Sequence, residues 1–408
     1  MKKRIYLDFA ATTPIDPKVL KAMAPYLKSA FGNPSSAHRF GQEARAAIEK
    51  ARAMVASFLD ARAQEVVFTS GATEANNLAI QGIARNAKCQ MPNAKPHIIT
   101  SQIEHESVLS PCGVLEQEGM AEVTYVPVGK EGLVRVEDVK NAVKENTAFV
   151  SIMYANSEIG TVQPIQEIGE MLQRYNIQHA RYKILFHTDA AQAAQFLDCN
   201  VQKLKVDLLT MSSHKIYGPK GAGALYIREG VSLVPALYGG GQEQGMRSGT
   251  ENAAAIVGMG AAVQEIHPVI RPGAPSHDGA NPESSVRNIR IRQLRDQLVR
   301  GILKNVKGAE LTGSKEKRLP NNIHIRVKGV EGRDMVIALD QKGIAVSSGS
   351  ACSEKNQAPS HVLLALGYSL EDACSGVRIT LGKNTTQDEI QACIKAFILA
   401  VEQLRRNL

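Results

Sequence analysis

The sequence is 408 residues long, 44% hydrophobic and 22% charged, an ordinary globular balance with enough chain for two domains of sizeable core. Its 48 Lys and Arg against 40 Asp and Glu leave a formal charge of +8, but the basic residues are scattered among the acids without an aromatic-interleaved stripe, so nucleic-acid binding is not expected. The six cysteines (89, 112, 199, 352, 374, 393) make no C-x-x-C pair and no zinc-like spacing, which argues against a structural metal and a disulfide framework.

The opening MKKRIYLDFAATTP begins basic, as a secretory signal would, but Asp8 and the Thr12-Thr13-Pro14 turn interrupt any apolar region. No stretch approaches the roughly 20 apolar residues of a membrane span, and the expected location is the cytoplasm. From residue 66, short β-branched runs alternate with helical patterns: VVFT (66–69), HIIT (97–100), FVSIM (149–153), KILFH (183–187), DLLTM (207–211) and ALYI (224–227). Strands separated by helices predict an α/β fold with a mostly parallel sheet. In PIQEIGEMLQRY, Ile165, Ile168, Met171, Leu172 and Tyr175 share one helical face and predict packing.

HPVIRPGAPSHDGANPESS (267–285) is rich in Pro, Gly and Ser and reads as an exposed insertion, with His267 and His277 solvated. A second block then follows with its own rhythm: a helix through RNIRIRQLRDQLVRGILKN, the strand IHIRV, a helix through RDMVIALDQKG, IAVSS, HVLLALG, GVRITL and a long final helix opened by a Thr386-x-x-Glu389 capping box. Cys393, inside that last helix, reads as a small core residue. Cys352, in SSGSACSEKNQAPSH, differs in having only small and polar neighbours.

Ligands of open α/β sheets bind beyond the carboxyl ends of the parallel strands, and three such ends carry unusual residues. VVFT runs into SGATEANNLAI, where Gly71 permits a tight turn and Thr73 starts a helix whose free N–H groups suit an anion, although a plain Ser/Thr cap explains the pattern equally well. KILFH runs into TDAAQAA, placing Asp189 and Gln192 past a buried strand, where an acid also serves as an ordinary cap. DLLTM runs into SSHKIYGPKG; the Walker spacing is absent, leaving Lys215 beside Ser212, Ser213 and His214. Together these groups match pyridoxal phosphate, which needs a lysine for a Schiff base, a carboxylate to keep its pyridine nitrogen protonated and donors around its phosphate. His105, in TSQIEHESV after another strand, suits stacking on the ring and proton transfer.

Ten ordered segments spread over nearly the whole chain, YLDFAATTP, FGNPSSAH, FTSGATEANNLAI, HIITSQIEHESV, NSEIGTVQPI, HTDAAQ, SSHKIYGPKGAGALYIR, GGGQEQGMRSGTEN, SSGSACS and VRITLG, resemble the aminotransferase class V group and, within it, the cysteine desulfurases of the NifS and IscS type. The resemblance implies a pyridoxal phosphate transferase of fold type I, with a large domain built on a mostly parallel seven-stranded sheet and a smaller α+β domain. The expected boundaries are 1–15 joining the small domain, 16–265 the large domain, 266–286 the insertion and 287–408 the small domain with the cysteine loop. By resemblance, Lys215 carries the cofactor and Asp189 pairs with its pyridinium nitrogen. His105 stacks on the ring and moves protons, and Gln192 and Asn156 contact the phenolic oxygen. Ala72, Thr73, Ser212 and His214 hold the phosphate, while Thr250 reaches the phosphate of the neighbouring subunit, which implies a homodimer with shared sites. Arg378 receives the substrate carboxylate, with Asn156 also at the substrate.

The implied reaction converts L-cysteine to L-alanine, the substrate sulfur passing to the thiolate of Cys352 as a persulfide for delivery to an acceptor such as an iron–sulfur scaffold. Gly349, the serines and the SEKNQ tract suit a loop that moves for both tasks. The spacing from Cys352 to PSHVLLALG matches the longer-loop desulfurases and lacks the R-x-G-H-H-C segment of the other group, and NSEIG stands where NNEIG is commoner. KPH, HTDAAQA and Pro-Ser-x-Val-Leu-Leu are shared with selenocysteine lyases, the second reading; a PLP-fold scaffold without catalysis is the third.

Overall fold

The computed structural model describes residues 4–91, 94–179, 183–266, 286–349 and 358–406. The expected exposed insertion and Cys352 with its loop lie outside them. Twelve strands occur among the described residues: β1 Ile5–Tyr6, β2 Val66–Thr69, β3 His97–Ser101, β4 Glu122–Val126, β5 Thr147–Ser151, β6 Leu185–Asp189, β7 Leu208–Ser212, β8 Gly223–Ile227, β9 Ala309–Leu311, β10 Asn322–Val327, β11 Ile344–Ala345 and β12 Gly376–Thr380. The central sheet has the order β2-β8-β7-β6-β5-β3-β4. Only β8 runs against its neighbours. Seven mostly parallel strands are what the resemblance implied.

Side-chain alternation explains why these strands read as unbroken apolar runs. Val66, Phe68, Ile99, Val150, Phe186, Leu209 and Tyr226 join one hydrophobic cluster. The intervening Val67, Ile98, Phe149, Leu208 and Leu225 join a second cluster on the opposite face. A strand covered on both faces has no polar side to show. Helices Ile165–Gln178 and Ala253–Ile266 line the first cluster, and Ala72–Gln90 and Glu106–Gln117 line the second. β4 is an edge strand whose side chains are mostly half-exposed, so EVTYV lacks the apolar run that marks its neighbours in the sequence.

The C-terminal block builds an antiparallel sheet β12-β10-β9. Helices Val286–Asn305 and Gln387–Arg406 bury Ile291, Leu294, Leu298, Ile390, Cys393 and Phe397 in the same cluster as Ile323, Ile325 and Ile379 of that sheet. The capping box is formed: Glu389 accepts from Thr386 N at 3.0 Å and Thr386 Oγ1 accepts from Glu389 N at 3.3 Å. IAVSS is strand only at Ile344–Ala345, which pairs in parallel with Ile5–Tyr6, so the N-terminal segment is stitched to this block. Among the described residues no helix is long and apolar enough to cross a membrane, and no three metal-binding side chains cluster.

A polar rung crosses the sheet: Thr210 Oγ1 meets His187 Nε2 at 3.0 Å, and His187 Nδ1 meets Ser151 Oγ at 2.8 Å. Burial pushes His187 down to about 4 from an ordinary 6.5. The unfolded chain therefore takes up a proton near pH 6.5 that the native state refuses until about pH 4, so this group costs stability as pH falls through that interval. Glu104, pushed by burial to about 8 from 4.5, acts in the opposite sense as pH rises, so the difference between variant and wild type isolates the histidine. We predict a shallower drop in the urea midpoint of His187→Gln than of wild type between roughly pH 6.5 and 5; equal slopes would show that His187 takes up protons alike in the folded and unfolded chain.

Candidate active site

Because β2, β7, β6, β5 and β3 run parallel, their carboxyl ends deliver Thr69, Ser212, Asp189, Ser151 and Ser101 to one edge of the sheet. The N-terminal end of the reversed β8 lies there too. A Cβ on its first residue, Gly223, would sit 2.6 Å from the Gly71 backbone, so a glycine is needed for strand and turn to meet. Gly71 itself has φ +156° and caps helix Ala72–Gln90, and nothing lies within 4 Å of the position its own Cβ would take. The helix thus opens beside free space, with Ala72 half-buried and Thr73 exposed at its first turn.

Asp189, the last residue of β6, is buried. Its Oδ1 accepts from Ala191 N at 2.8 Å, so the capping role is realised, and its Oδ2 accepts from Asn76 Nδ2 at 2.7 Å. The same Asn76 nitrogen donates to Ser107 Oγ at 2.8 Å, and that hydroxyl lies 2.8 Å from His105 Nδ1. Ser107 N also donates to Nδ1 at 3.1 Å. A ring nitrogen that accepts an N–H carries no proton, so the neutral His105 bears its proton on Nε2. Burial lowers the His105 pKa, the Lys215 charge adds to the effect and Asp189 opposes it, leaving a neutral imidazole at neutral pH.

Lys215 ends the short turn Ser213–Lys215 after β7. Its Nζ donates to Ala10 O at 2.5 Å and Ala11 O at 2.9 Å, and Gln192 Nε2 donates to the same Ala10 O at 3.0 Å. His214 meets Thr12 Oγ1 through Nδ1 at 3.1 Å, and burial, reinforced by Lys215 and Lys220, pushes it down to about 4. Ser212 is buried at the end of β7. Residues 10–13 thus touch Lys215, Gln192 and His214 together.

Asn156 is buried with both ends of its amide engaged: Nδ2 donates to Ile103 O at 2.9 Å, and Oδ1 accepts from Glu158 N and Ile159 N, each at 2.9 Å. It shapes the turn that lines a narrow cleft together with His105, Ser157, Glu158, His361 and Val362. Arg378 is buried on β12, not on the strand surface. Its Nη2 donates to Asp8 Oδ1 at 2.9 Å and its Nη1 to Ser157 O at 3.2 Å, while its Nε has no partner among the described residues. Thr250 is not brought to this cluster; it is exposed, on a segment beyond β8.

Asn76, Ser107, Asp8 and Glu158 escaped the sequence reading. Asn76 had a signal, since it interrupts the apolar stripe that continues through Ala79, Ile80 and Ile83. Glu158 is fully buried, accepts from Ser360 Oγ at 2.6 Å and has its carboxyl pKa raised by burial.

The model of the family described as Aminotransferase class-V matches residues 5–274 and 280–393. The chain belongs to that family. Among its family relatives, the cysteine desulfurase IscS of Dictyoglomus turgidum is 44% identical over 405 residues, covering 99% of this chain and 96% of the relative. The mitosomal cysteine desulfurase of Encephalitozoon cuniculi is 44% identical, covering 99% and 88%. A solved NifS-like protein superposes with a TM-score of 0.86 at 34% identity, covering 98% of this chain and all of that one. SspA, solved in complex with cysteine, gives 0.77 at 36%, covering 94% and all of its chain.

The pyridoxal phosphate of the resemblance meets a compatible donor set: a lysine, a buried carboxylate, a neutral imidazole and a helix opening onto free space. Replacing Asn76 tests the network. Asn76→Ala strips one donor from the buried Asp189 carboxylate and should destabilise the fold by about 2 kcal/mol. The urea midpoint reads this; an unchanged midpoint would show that water already serves Asp189.

Proposed function

We propose that this chain is a cysteine desulfurase that takes sulfur from L-cysteine, releases L-alanine and carries the sulfur on Cys352 as a persulfide. The reading is supported most by the hydrogen-bonded network in which Asn76 donates to both Asp189 and Ser107 and Ser107 meets His105, beside Lys215, in a family member 44% identical to an IscS desulfurase. Pyridoxal phosphate, when bound, supplies the electron sink that the amino acid itself lacks.

The protein's residues do the rest. Lys215 is the attachment point, released from the Ala10 and Ala11 carbonyls. Asp189 would pair with the cofactor's ring nitrogen and favour its protonated form, and its bond to Asn76 keeps the carboxylate fixed in place. His105, with Nε2 as its protonated nitrogen, would lie against the cofactor ring and move protons at the substrate. Ala72, Thr73, Ser212 and His214 are assigned to the phosphate, and Gln192 and Asn156 to the phenolic oxygen. Arg378 takes the substrate carboxylate, with Asn156 beside it. The thiolate of Cys352 would attack the substrate sulfur; the pair of the broken carbon–sulfur bond stays with the β-carbon, which takes up a proton to become the methyl of alanine, and the sulfur leaves as a persulfide on Cys352 for an acceptor protein such as an iron–sulfur scaffold.

A second copy of the chain completes the proposal, with Thr250 of each reaching the phosphate of the other. Support comes from apolar surface that a monomer has little reason to display: Phe31 is 72% exposed and Phe40 54% exposed, their rings 6.1 Å apart, with Leu27 exposed nearby in sequence.

A turnover assay with L-cysteine and L-selenocysteine side by side tests substrate and nucleophile. Cys352→Ala should abolish sulfur release from L-cysteine while keeping the bound chromophore, whereas selenium, a better leaving atom, should be released with less loss. Normal desulfuration by Cys352→Ala would reject the persulfide route. Lys215→Ala should lose the absorbance of lysine-linked cofactor; an unchanged spectrum would reject Lys215 as the anchor.

A further inference from the structure

The segment GGGQEQGMRSGT, residues 239–250, runs over the surface beyond β8, and Tyr238 just before it is 75% exposed. Among the described residues, its hydrogen bonds reach none of Lys215, His105 and Asp189. Its middle is nonetheless fixed by a buried ion pair. Arg52 Nη1 and Nη2 reach Glu243 Oε2 and Oε1 at 2.7 and 2.8 Å, both side chains under a tenth exposed. Oε2 also accepts from Phe68 N at 2.8 Å, Arg52 Nη1 donates to Val66 O at 2.8 Å, and the guanidinium lies 4.8 Å over the Phe68 ring. A second pin lies four residues on: Arg247 Nε donates to Glu74 Oε1 at 2.8 Å, and Glu74 Oε2 accepts from Ser70 N. Both pins land on residues 66–74, the strand and turn that form the phosphate end of the chain's own site.

This arrangement is expensive. A buried ion pair loses much of its attraction to desolvation. Glu243 and Gln244, at φ +46° and +60°, are consecutive non-glycine residues in the left-handed region, and such strain collects where function requires it. Burial of this kind is not needed merely to hold an exposed loop that serves nothing in its own chain.

We propose that Arg52 and Glu243 are positioning residues for the partner subunit's cofactor site: they lock the 239–250 arm to the sheet so that Thr250 is presented in a fixed place across the dimer, with Glu74 and Arg247 as the nearer brace. The inference rests on the reading above that Thr250 serves the neighbouring phosphate, and it adds which groups set the arm.

Mixed dimers of differently tagged chains test it, because they separate an effect within one chain from an effect across the interface. In the first pairing, Lys215→Ala joins a Glu243→Gln chain; the single intact lysine site is then served by an unaltered arm. In the second, a Lys215→Ala, Glu243→Gln chain joins wild type, and the intact site is served by the altered arm. Stripped dimers are titrated with pyridoxal phosphate, and the absorbance of lysine-linked cofactor counts only the intact site. The second pairing should bind about tenfold more weakly than the first, the loss typical when a group behind a ligand contact is removed; pyridoxal, which lacks the phosphate, should bind the two alike. Equal affinities, or weaker binding in the first pairing, would overturn the proposal. Thr250→Val in the same two pairings is the control: if its loss also follows the chain that holds the lysine, the shared-site reading itself fails, whereas a cross-dimer loss for Thr250→Val alone removes only the role of Glu243. Should Glu243→Gln not fold with Arg52 left unpaired, Arg52→Met with Glu243→Met takes its place and the same comparison decides.

Discussion

The short segment of residues 8–13 touches Lys215, Gln192, His214 and Arg378 at once. The Ala10 carbonyl accepts from both Lys215 and Gln192, Thr12 meets His214, and Asp8 balances the buried charge of Arg378. Carbonyl acceptors around an ammonium keep it solvated inside the protein without neutralising it. The lysine is thereby steadied by groups that need not move far to release it. The same short stretch is tied to the C-terminal block by the pairing of Ile5–Tyr6 with Ile344–Ala345, so the placement of the lysine depends on the two blocks being docked.

Much of this was legible in the sequence. Apolar runs of four or five residues locate strands well when both faces of a sheet are covered, and six of the seven central strands announced themselves in this way. The edge strand β4 did not, since half of its surface faces water. At the site, residues carrying recognisable chemistry at strand ends, such as Lys215, Asp189 and His105, stood out. The groups that orient them did not, for two different reasons. Asn76 sits in an ordinary helix, and only its interruption of an apolar stripe marks it. Asp8 reaches Arg378 over 370 residues of separation, a distance at which no local pattern carries information. The resemblance points to Asn156 as a cofactor contact, but the engagement of its amide with Ile103, Glu158 and Ile159 is a matter of backbone geometry that its sequence neighbours do not reveal.

Buried charge recurs where the fold must hold something in one place. Arg378 is fixed between Asp8 and the Ser157 carbonyl, and Arg52 between Glu243 and the edge of β2. Neither pair is a strong source of stability once desolvation is counted. What they supply is direction: a planar guanidinium gripped at two points cannot swing, and a loop tied to it inherits that rigidity.

The pairing of Asp8 with Arg378 also has a consequence in time. A ribosome adding roughly 5–20 residues per second needs on the order of 20–70 s to travel from one to the other. The central sheet and the lysine-bearing turn are synthesised within that interval, whereas Arg378, Asp8 and β12 cannot be brought together until its end. The newly made chain therefore holds Lys215 and Asp189 without Arg378 until β12 has been synthesised, and the cluster is complete only once the C-terminal block has been made.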